Sequence, residues 1–229
     1  MGKNKLKRWA EMKTFNNVFE KDETIKGKWK SDFFKNDNPL VVELGCGRGE
    51  YTVNMGKMFP EKNFVGVDIK GARLWRGAKT GHDDKMGNLG FLRCQIELIS
   101  DFFAEGEVDE IWITFPDPQP QEGREKKRLT SPRFMGNYRK LLNNGGDINF
   151  KTDNLGMFEY TLEMIEIEGH KLRYHTFDLY NSDRKDDELM NIKTTYEKIF
   201  LKEGVAIKYM HFNLNDKATE AEKKGVIGK

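Results

Sequence analysis

Two acidic side chains and three glycines occur at spacings that suit the binding of a nucleoside: Glu43, Gly45, Gly47, Gly49 and Asp68. Glu43 and the glycines end a first apolar segment, and Asp68 ends a second one, 23 residues after Gly45. This order predicts strand, tight turn, helix and strand, because glycine lets the backbone turn sharply and approach a ligand closely. A carboxylate at the end of the second strand can accept hydrogen bonds from both hydroxyls of a ribose. The pattern therefore predicts a site for an adenosine-containing cofactor.

The acidity of this turn distinguishes between the cofactors that it could hold. The dinucleotide-binding pattern has a third glycine where Glu50 stands, and it receives a pyrophosphate at the helix N-terminus. Glu43 and Glu50 instead place two carboxylates beside the turn, and these repel a diphosphate and attract a cation. S-adenosylmethionine carries an ammonium and a sulfonium group and no phosphate. The turn thus favours this cofactor over a nicotinamide dinucleotide, and a tight turn without a ligand is the structural alternative.

Further polar side chains follow later apolar segments. Gln95 and Asp153 each come directly or shortly after such a segment, and Asp117 lies between Pro116 and Pro118. Because ligands of open α/β sheets bind at the carboxyl ends of the strands, these residues are candidates for contacting cofactor or substrate. An aspartate between two prolines is held by a rigid loop. For Asp153 the alternative is the N-cap of the helix predicted to follow it.

Positive charge is concentrated in two segments, although the net charge of the chain is only +2. Residues 1–30 hold nine Lys or Arg against four Asp or Glu, and residues 124–140 hold seven against one. The second segment directly follows the loop of Asp117. Basic side chains neutralise phosphates without reading sequence, so the pattern predicts a nucleic acid as partner. For either segment alone, a solvated surface is the alternative.

Apolar and helical segments alternate from residue 38 to 212, which predicts an α/β fold with a mostly parallel sheet of seven strands and helices on both faces. Residues 1–37 are predicted to form a basic N-terminal extension with a helix over about 24–35, and residues 213–229 a polar C-terminal tail. No apolar run approaches the ~20 residues of a membrane span, so no membrane association is expected. The two cysteines lack metal-ligand spacing, which predicts no metal and fits a cytoplasmic location.

Taken together, the motifs resemble those of the bacterial tRNA (guanine-N7)-methyltransferases, and the similarity runs from about Trp9 to Phe212. Five stretches carry it: Glu43-Leu44-Gly45-Cys46-Gly47, Phe115-Pro116-Asp117-Pro118, Lys126-Lys127-Arg128-Leu129-Thr130, Lys151-Thr152-Asp153-Asn154 and Thr194-Thr195-Tyr196-Glu197. The glycine motif alone is common, but the five stretches in this order and spacing are specific. The resemblance implies a Rossmann-like class I methyltransferase fold, S-adenosylmethionine as cofactor and tRNA as substrate.

The resemblance also implies roles for individual residues. The implied cofactor positions are Glu43, Gly45, Gly47, Asp68, Gln95 and Asp117. The implied substrate positions are Gln121, Arg124, Lys126, Lys127, Arg128, Asp153, Thr194, Tyr196 and Glu197. Without the resemblance, the last three would be interpreted as an ordinary helix start. We interpret Asp117 and Asp153 as the catalytic carboxylates around the guanine.

Three glutamines depart from the family pattern. Gln95 stands where the family usually has an acid or amide that reads adenine, and it can still hydrogen-bond. Gln119 replaces a usual tryptophan, and Gln121 replaces a lysine that binds substrate. Arg124 or Lys126 is therefore expected to supply the missing cation.

The implied reaction needs no general base, because N7 of guanine carries a free lone pair at neutral pH. Catalysis would come from positioning and from carboxylates placed near the developing positive charge. The open alternatives are a methyltransferase for other nucleic acids, proteins or small molecules, a nicotinamide dehydrogenase, and a non-catalytic RNA-binding subunit. The basic segments disfavour a small-molecule enzyme, and the retained acids disfavour a non-catalytic subunit. Both a monomer and a homodimer are compatible with the sequence.

Overall fold

The computed structural model describes residues 3–215, and the chain divides after Ala104 into two compact units. The elements of the first unit are α1 (Lys3–Met12), β1 (Val18–Glu20), β2 (Leu40–Leu44), α2 (Glu50–Met58), β3 (Asn63–Val67), α3 (Gly71–Asp83) and β4 (Leu89–Arg93). Its four strands are parallel and lie in the order β1, β4, β3, β2. Every residue of β2 and β3 is buried, which explains why both strands are mostly apolar, with Glu43 and Asn63 as the polar exceptions.

The register of the central strands brings the acidic positions to one edge of this sheet. Glu43 pairs with Gly66, and Leu44 with Val67. The backbone amide of Asp68 then donates to Leu92 O at 3.2 Å. The turn after β2 and the residue after β3 therefore lie side by side at the carboxyl ends of the strands.

Residues 3–37 contain more structure than the predicted basic extension. The expected helix over 24–35 is wrong: a 3₁₀ turn spans Glu23–Ile25, and a short π-helix spans Trp29–Phe34. Trp29 is fully buried, stacks on Phe103 with ring centroids 5.2 Å apart, and donates to Phe102 O at 2.9 Å. The burial of a large aromatic ring explains why this segment packs as part of the first unit.

The elements of the second unit are β5 (Val108–Thr114), α4 (Pro132–Leu141), β6 (Leu142–Thr152), α5 (Leu155–Ile167), β7 (Lys171–Thr176), α6 (Thr195–Lys202) and β8 (Lys208–Asn213). The strands lie in the order β5, β6, β8, β7. β5 and β6 are parallel, and β8 runs antiparallel to both of its neighbours. Residues 3–215 thus contain eight strands and not the predicted seven, because the short β1 adds one.

The two faces of the second unit's sheet differ in chemistry. On one face Phe150 stacks on Phe158 of α5. On the other, Asn149 accepts from Tyr209 Oη at 2.6 Å, and Arg184 lies over the Tyr209 ring. The segment 178–193 therefore covers a polar sheet face, which requires hydrogen bonds rather than apolar packing alone.

The predicted limits of the extension, the catalytic domain and the tail stay predictions. The tail was expected over 213–229, and residues 216–229 lie outside the described part of the chain. Within the described part, no helix combines the length and the apolar character that crossing a membrane requires.

Candidate functional site

The glycine turn (residues 45–49) connects β2 to α2 with a left-handed backbone. The φ angle is +73° at Gly45, +56° at Gly47 and +69° at Gly49, values that residues with side chains rarely adopt. The amides of Gly45 and Cys46 donate to Val67 O at 2.8 and 3.0 Å. The turn is therefore fixed by backbone hydrogen bonds to the end of β3.

The three glycines of this turn serve two purposes. Apart from the glycine itself and its two chain neighbours, no heavy atom of the described residues lies within 4 Å of the position that a Cβ would take at Gly45, and at Gly47 the nearest is Gly45 O at 3.9 Å. A Cβ at Gly49 would instead lie 2.7 Å from the Phe91 ring. Gly45 and Gly47 thus leave room for a ligand against the backbone, as the predicted cofactor requires, whereas Gly49 permits close internal packing.

Asp68 joins the glycine turn to the residues after β3. Its side chain is 8% exposed; Oδ2 accepts from Gly47 N at 2.9 Å and Oδ1 from Lys70 N at 2.6 Å. A carboxylate has about four acceptor positions, so two backbone bonds leave capacity for ribose hydroxyls. The geometry fits the role that the sequence predicts for this residue.

Glu43, another acid beside the glycine turn, is buried beneath α2. It is 2% exposed, and Oε2 accepts from Thr52 N at 2.8 Å and also from Thr52 Oγ1. Thr52 lies in the first turn of α2, where backbone amides have no partner inside the helix. A carboxylate at this end accepts a hydrogen bond from such an amide, and the positive end of the helix dipole stabilises its negative charge. The hydrogen bonds shown for Glu43 hold the helix that begins at the glycine turn.

The two cysteines are both buried. Burial, together with the nearby charges of Glu43 and Asp68, raises the pKa of the Cys46 thiol well above its ordinary value of 9.0. Burial, with Asp101 and Glu97, raises the pKa of Cys94 to about 12. Such thiols stay protonated and are poor nucleophiles.

Gln95, which follows Cys94, starts the 3₁₀ helix Ile96–Asp101. Its side chain is exposed, and its carbonyl accepts from Leu98 N at 2.9 Å. The amide head is therefore at the surface of the first unit, just beyond β4.

In the second unit, Asp117 lies on a strained loop. The Asp117 loop (residues 115–121) contains two non-glycine residues with positive φ, Phe115 at +49° and Gln119 at +44°. Asp117 Oδ1 accepts from Gln119 N at 3.1 Å, and Phe115 N donates to Lys151 O at 2.8 Å. The loop is thereby fixed at its base and its tip, and the exposed Asp117 carboxylate projects from it. Backbone strain of this kind is concentrated at functional sites.

Asp153 is not the N-cap of α5. That position belongs to Asn154, whose Oδ1 accepts from Met157 N at 2.8 Å. The backbone carbonyl of Asp153 accepts from Lys208 Nζ at 2.9 Å. The main chain of Asp153 is thus held in place while its partly exposed carboxylate takes no part in the cap.

The basic turn (residues 122–128) divides into two kinds of side chain. Arg124, Lys126 and Lys127 are exposed, as is the preceding Gln121. The Arg128 side chain is only 12% exposed; it donates to Gln119 O at 3.4 Å and lies 4.3 Å above the Tyr160 ring. Arg128 therefore supports the Asp117 loop, and the other cations face solvent.

The predicted substrate residues on α6 also divide. Thr194 and Glu197 form a reciprocal capping box, in which Thr194 Oγ1 accepts from Glu197 N at 3.2 Å and Glu197 Oε2 from Thr194 N at 3.3 Å. Glu197 is fully buried, whereas Tyr196 is 53% exposed. The sequence predicts that Thr194, Tyr196 and Glu197 share one role, but in the structure the Glu197 carboxylate is buried in the helix cap and only the Tyr196 ring is exposed.

Sequence reasoning missed two buried lysines of the second unit. Lys151 is fully buried and lies 2.7 Å from Glu197 Oε1, and Lys208 is 8% exposed and binds the carbonyls of Asp153 and Ala206. Lys208 is the first residue of β8, and β6 contains several polar residues besides Lys151, so the sequence pattern does not mark either lysine as buried, a state that is rare for lysine without a partner. Within the described residues, no group of three or more His, Cys, Asp or Glu could hold a metal ion.

Comparison with known proteins gives closely similar sequences. Residues 37–210 match the family model described as "Putative methyltransferase". The chain is 53% identical over 222 residues to the tRNA (guanine-N(7)-)-methyltransferase of Bacteroides fragilis (strain YCH46), covering 93% of this chain and 87% of that protein. It is 49% identical over 215 residues to the protein of the same name from Porphyromonas gingivalis (strain ATCC BAA-308 / W83), covering 90% and 87%.

Solved structures support the fold independently of sequence. The crystal structure of the 16S rRNA methyltransferase KamB superposes with a TM-score of 0.59 at 14% identity, covering 78% of this chain and 88% of that one. At this identity the likeness shows the fold alone. It confirms the predicted Rossmann-like methyltransferase fold.

Proposed function

The chain belongs to the family of tRNA (guanine-N(7)-)-methyltransferases, and we propose that it transfers the methyl group of S-adenosylmethionine to N7 of a guanosine in tRNA. The observation that carries this proposal is the 53% identity, over 93% of the chain, to a relative of that name. We further propose, from the family resemblance, that this guanosine lies in the variable loop of tRNA.

We assign cofactor binding in the first unit to the glycine turn, Asp68 and Gln95. Asp68 has acceptor capacity for ribose hydroxyls, and the open sides of Gly45 and Gly47 admit a ligand against the backbone. Gln95 offers an exposed amide for the adenine edge. Glu43 supports this site through Thr52 and α2. Bound S-adenosylmethionine supplies a methyl group activated by its sulfonium.

We assign the guanine to two carboxylates of the second unit, Asp117 and Asp153. Guanine N7 has no proton to lose, so neither residue acts as a general base. Each carboxylate orients the base and stabilises the positive charge that the ring gains when N7 forms its new bond. The strained Asp117 loop and the anchored carbonyl of Asp153 support this assignment, because fixed groups need no reorganisation during the reaction.

We assign tRNA binding to the exposed cations Arg124, Lys126 and Lys127, with Tyr196 as an exposed ring against which a base can stack. Gln121 contributes a neutral hydrogen-bonding group. The phosphate contacts supply affinity and register, and selection of the guanosine falls to the carboxylates. We further propose that the enzyme needs no metal ion, acts in the cytoplasm, and works as a monomer or homodimer.

The decisive experiment is methylation of an unmodified tRNA transcript with methyl-labelled S-adenosylmethionine, followed by digestion and nucleoside analysis. We expect label in 7-methylguanosine, and none when the variable-loop guanosine of the transcript is replaced by adenosine. Label in another nucleoside, or undiminished labelling of the replaced transcript, would contradict the proposal.

A further inference from the structure

Lys151 lies two residues before Asp153 on β6, and its ammonium group is fully buried. Nζ is 2.7 Å from Glu197 Oε1, and it donates to Met190 O at 3.0 Å and to Ile192 O at 3.3 Å. Tyr180 Oη accepts from Lys151 Nζ at 3.3 Å and donates to Glu197 Oε1 at 2.6 Å. These five residues form the Lys151 cluster, which joins β6, the segment 178–193 and α6.

A buried charge at this position is costly unless its partners are well placed. Burial lowers the pKa of Lys151, and the facing Glu197 carboxylate opposes that shift, with Lys193 adding a smaller lowering effect. Burial and the Glu197 carboxylate both raise the pKa of Tyr180, so its hydroxyl stays a donor. Buried ion pairs often contribute little net stability, and the best-attested reason to retain them is that they select one arrangement of the chain.

The arrangement selected here is that of the residues leading into α6. The carbonyls of Met190 and Ile192 bind Lys151 directly. One carboxylate oxygen of Glu197 binds Lys151, while the other accepts the Thr194 amide in the capping box. Lys151 therefore fixes both sides of the turn from which α6 starts, and that turn carries the exposed Tyr196.

We propose that Lys151 is a positioning residue for tRNA, a role that rests on the proposed function. Through Glu197 and the carbonyls of Met190 and Ile192, it holds Thr194 and Tyr196 in fixed relation to the strand that ends at Asp153. Glu197 belongs to this support. The end of β6 thus supplies the Asp153 carboxylate for the guanine. Through Lys151 it also holds the start of α6, which presents the Tyr196 ring for stacking.

The test begins with Lys151→Met, which shortens the side chain by one heavy atom and removes its charge. Because a displacement of about 1 Å can cost about 10²-fold in rate, we expect kcat/KM for tRNA to fall by about that factor, mainly through a higher KM. The Kd for S-adenosylhomocysteine should not change. Lys171→Met makes the same chemical change at an exposed residue of β7 and should match the wild type in every measurement.

The double variant Lys151→Met, Glu197→Met separates positioning from stability, and it also decides the matter if the single variant does not fold. It replaces the ion pair by apolar side chains of similar length. The acceptor of the Thr194 amide is lost with Glu197, but Thr194 Oγ1 still caps the backbone amide of residue 197, and Tyr180 Oη retains Met190 O as an acceptor at 3.3 Å. We expect its Tm to return towards the wild-type value while KM for tRNA stays high and backbone amides 190–197 exchange faster with deuterium. Wild-type KM in the double variant would overturn the proposal.

The same measurements distinguish failure of this inference from failure of the proposed function. If the wild type does not methylate tRNA, both the proposed function and the positioning role of Lys151 are wrong. If the wild type methylates tRNA and the double variant does so with the same KM, the positioning role alone is lost. A loss of cofactor affinity and tRNA affinity in equal proportion would likewise assign Lys151 to stability only and overturn it.

Discussion

Asp153 and Asn154 are neighbours with different tasks at the start of α5. Asn154 caps the helix, and Asp153 has its carbonyl bound by Lys208 while its carboxylate is free of the cap. We expect Asp153→Asn to reduce kcat by about 10²–10³, because an electrostatic stabiliser of the transition state is removed, with cofactor Kd unchanged. Single-turnover methylation and calorimetry provide these values.

Asn154→Ala is the matched control for this prediction. It should lower the free energy of unfolding by about 1 kcal/mol, the usual cost of removing an N-cap, and leave kcat close to the wild-type value. The assignment of Asp153 fails if its asparagine variant turns over as fast as the wild type.

Asp68 offers a second prediction for a single residue, on cofactor affinity. Asp68→Ala removes a charged acceptor from bound ribose and from the Gly47 amide, so binding of S-adenosylhomocysteine should weaken by about 1.5–3 kcal/mol. Asp68→Asn keeps one acceptor oxygen, so its affinity for S-adenosylhomocysteine should lie between those of Asp68→Ala and the wild type. Calorimetry measures both, and tRNA affinity should stay constant. Equal affinities in Asp68→Ala and wild type would exclude the ribose contact.

At single positions, the sequence predicted which types of side chain occur near the site better than it predicted which of them are exposed. Asp68 could be predicted because a strand-terminal acid after a glycine turn has one common use. Glu43, Arg128 and Glu197 are equally visible in sequence, yet their carboxylates and guanidinium are occupied by internal partners. Spacing cannot show which side of a turn or helix faces the interior, so these internal bonds appear only in the structure.

The basic turn is the element on which tRNA affinity should depend. Lys126→Ala with Lys127→Ala should weaken tRNA binding and lower the slope of log K against log salt by about 0.7–0.9 for each phosphate that the protein no longer neutralises. Arg128→Ala is the comparison, since Arg128 is bound to Gln119 O and Tyr160 and should affect stability more than the salt slope. Filter binding of tRNA over a series of salt concentrations measures this slope. An unchanged slope in the double lysine variant would show that Lys126 and Lys127 are not part of the RNA interface.

Elements with a clear period were predicted closely, and irregular ones were not. Apolar patterning with glycine and proline signals predicts a strand over Leu40–Leu44, a helix from the glycine turn to about Met58 and a helix from about Gly71 to Thr80. The limits of β2, α2 and α3 agree with these within three residues. The π-helix Trp29–Phe34 and the three-residue β1 carry no periodic signal. β6 begins at Leu142, which pairs with Val108, and the next pair is Asp147 with Glu110. The turn-forming residues Asn143 to Gly146 lie at the register shift between these two pairs, so the strand is irregular where its sequence resembles a loop.

For the whole molecule, we predict a loss of stability in alkali. Burial raises the pKa of Cys94 from 9.0 to about 12, and burial with Glu125 raises that of Tyr160 from 10.0 to about 12. Between about pH 9 and 12 the folded chain keeps protons that the unfolded chain releases, so the free energy of unfolding should fall as pH rises. The lowered pKa of Lys151 acts in the opposite direction.

Tyr160→Phe isolates one contribution to this alkaline loss. It removes the hydroxyl and keeps the ring beneath Arg128, 4.3 Å from the guanidinium. Urea unfolding at pH steps from 8 to 11 should give a shallower decline above pH 10 than in the wild type. A decline identical to the wild type would show that the Tyr160 hydroxyl does not contribute.

The packing around Phe91 limits how this enzyme can be re-engineered. A Cβ at Gly49, Gly66 or Gly77 would lie 2.7, 3.0 or 2.9 Å from the Phe91 ring. Trimming that ring would not make alanine acceptable, because Gly49 has positive φ, Gly66 also meets Thr52 Oγ1 at 2.7 Å, and Gly77 meets a backbone carbonyl at 2.9 Å. A mutant library aimed at bulkier cofactor analogues should therefore leave these positions unchanged and randomise Gln95 on the exposed side.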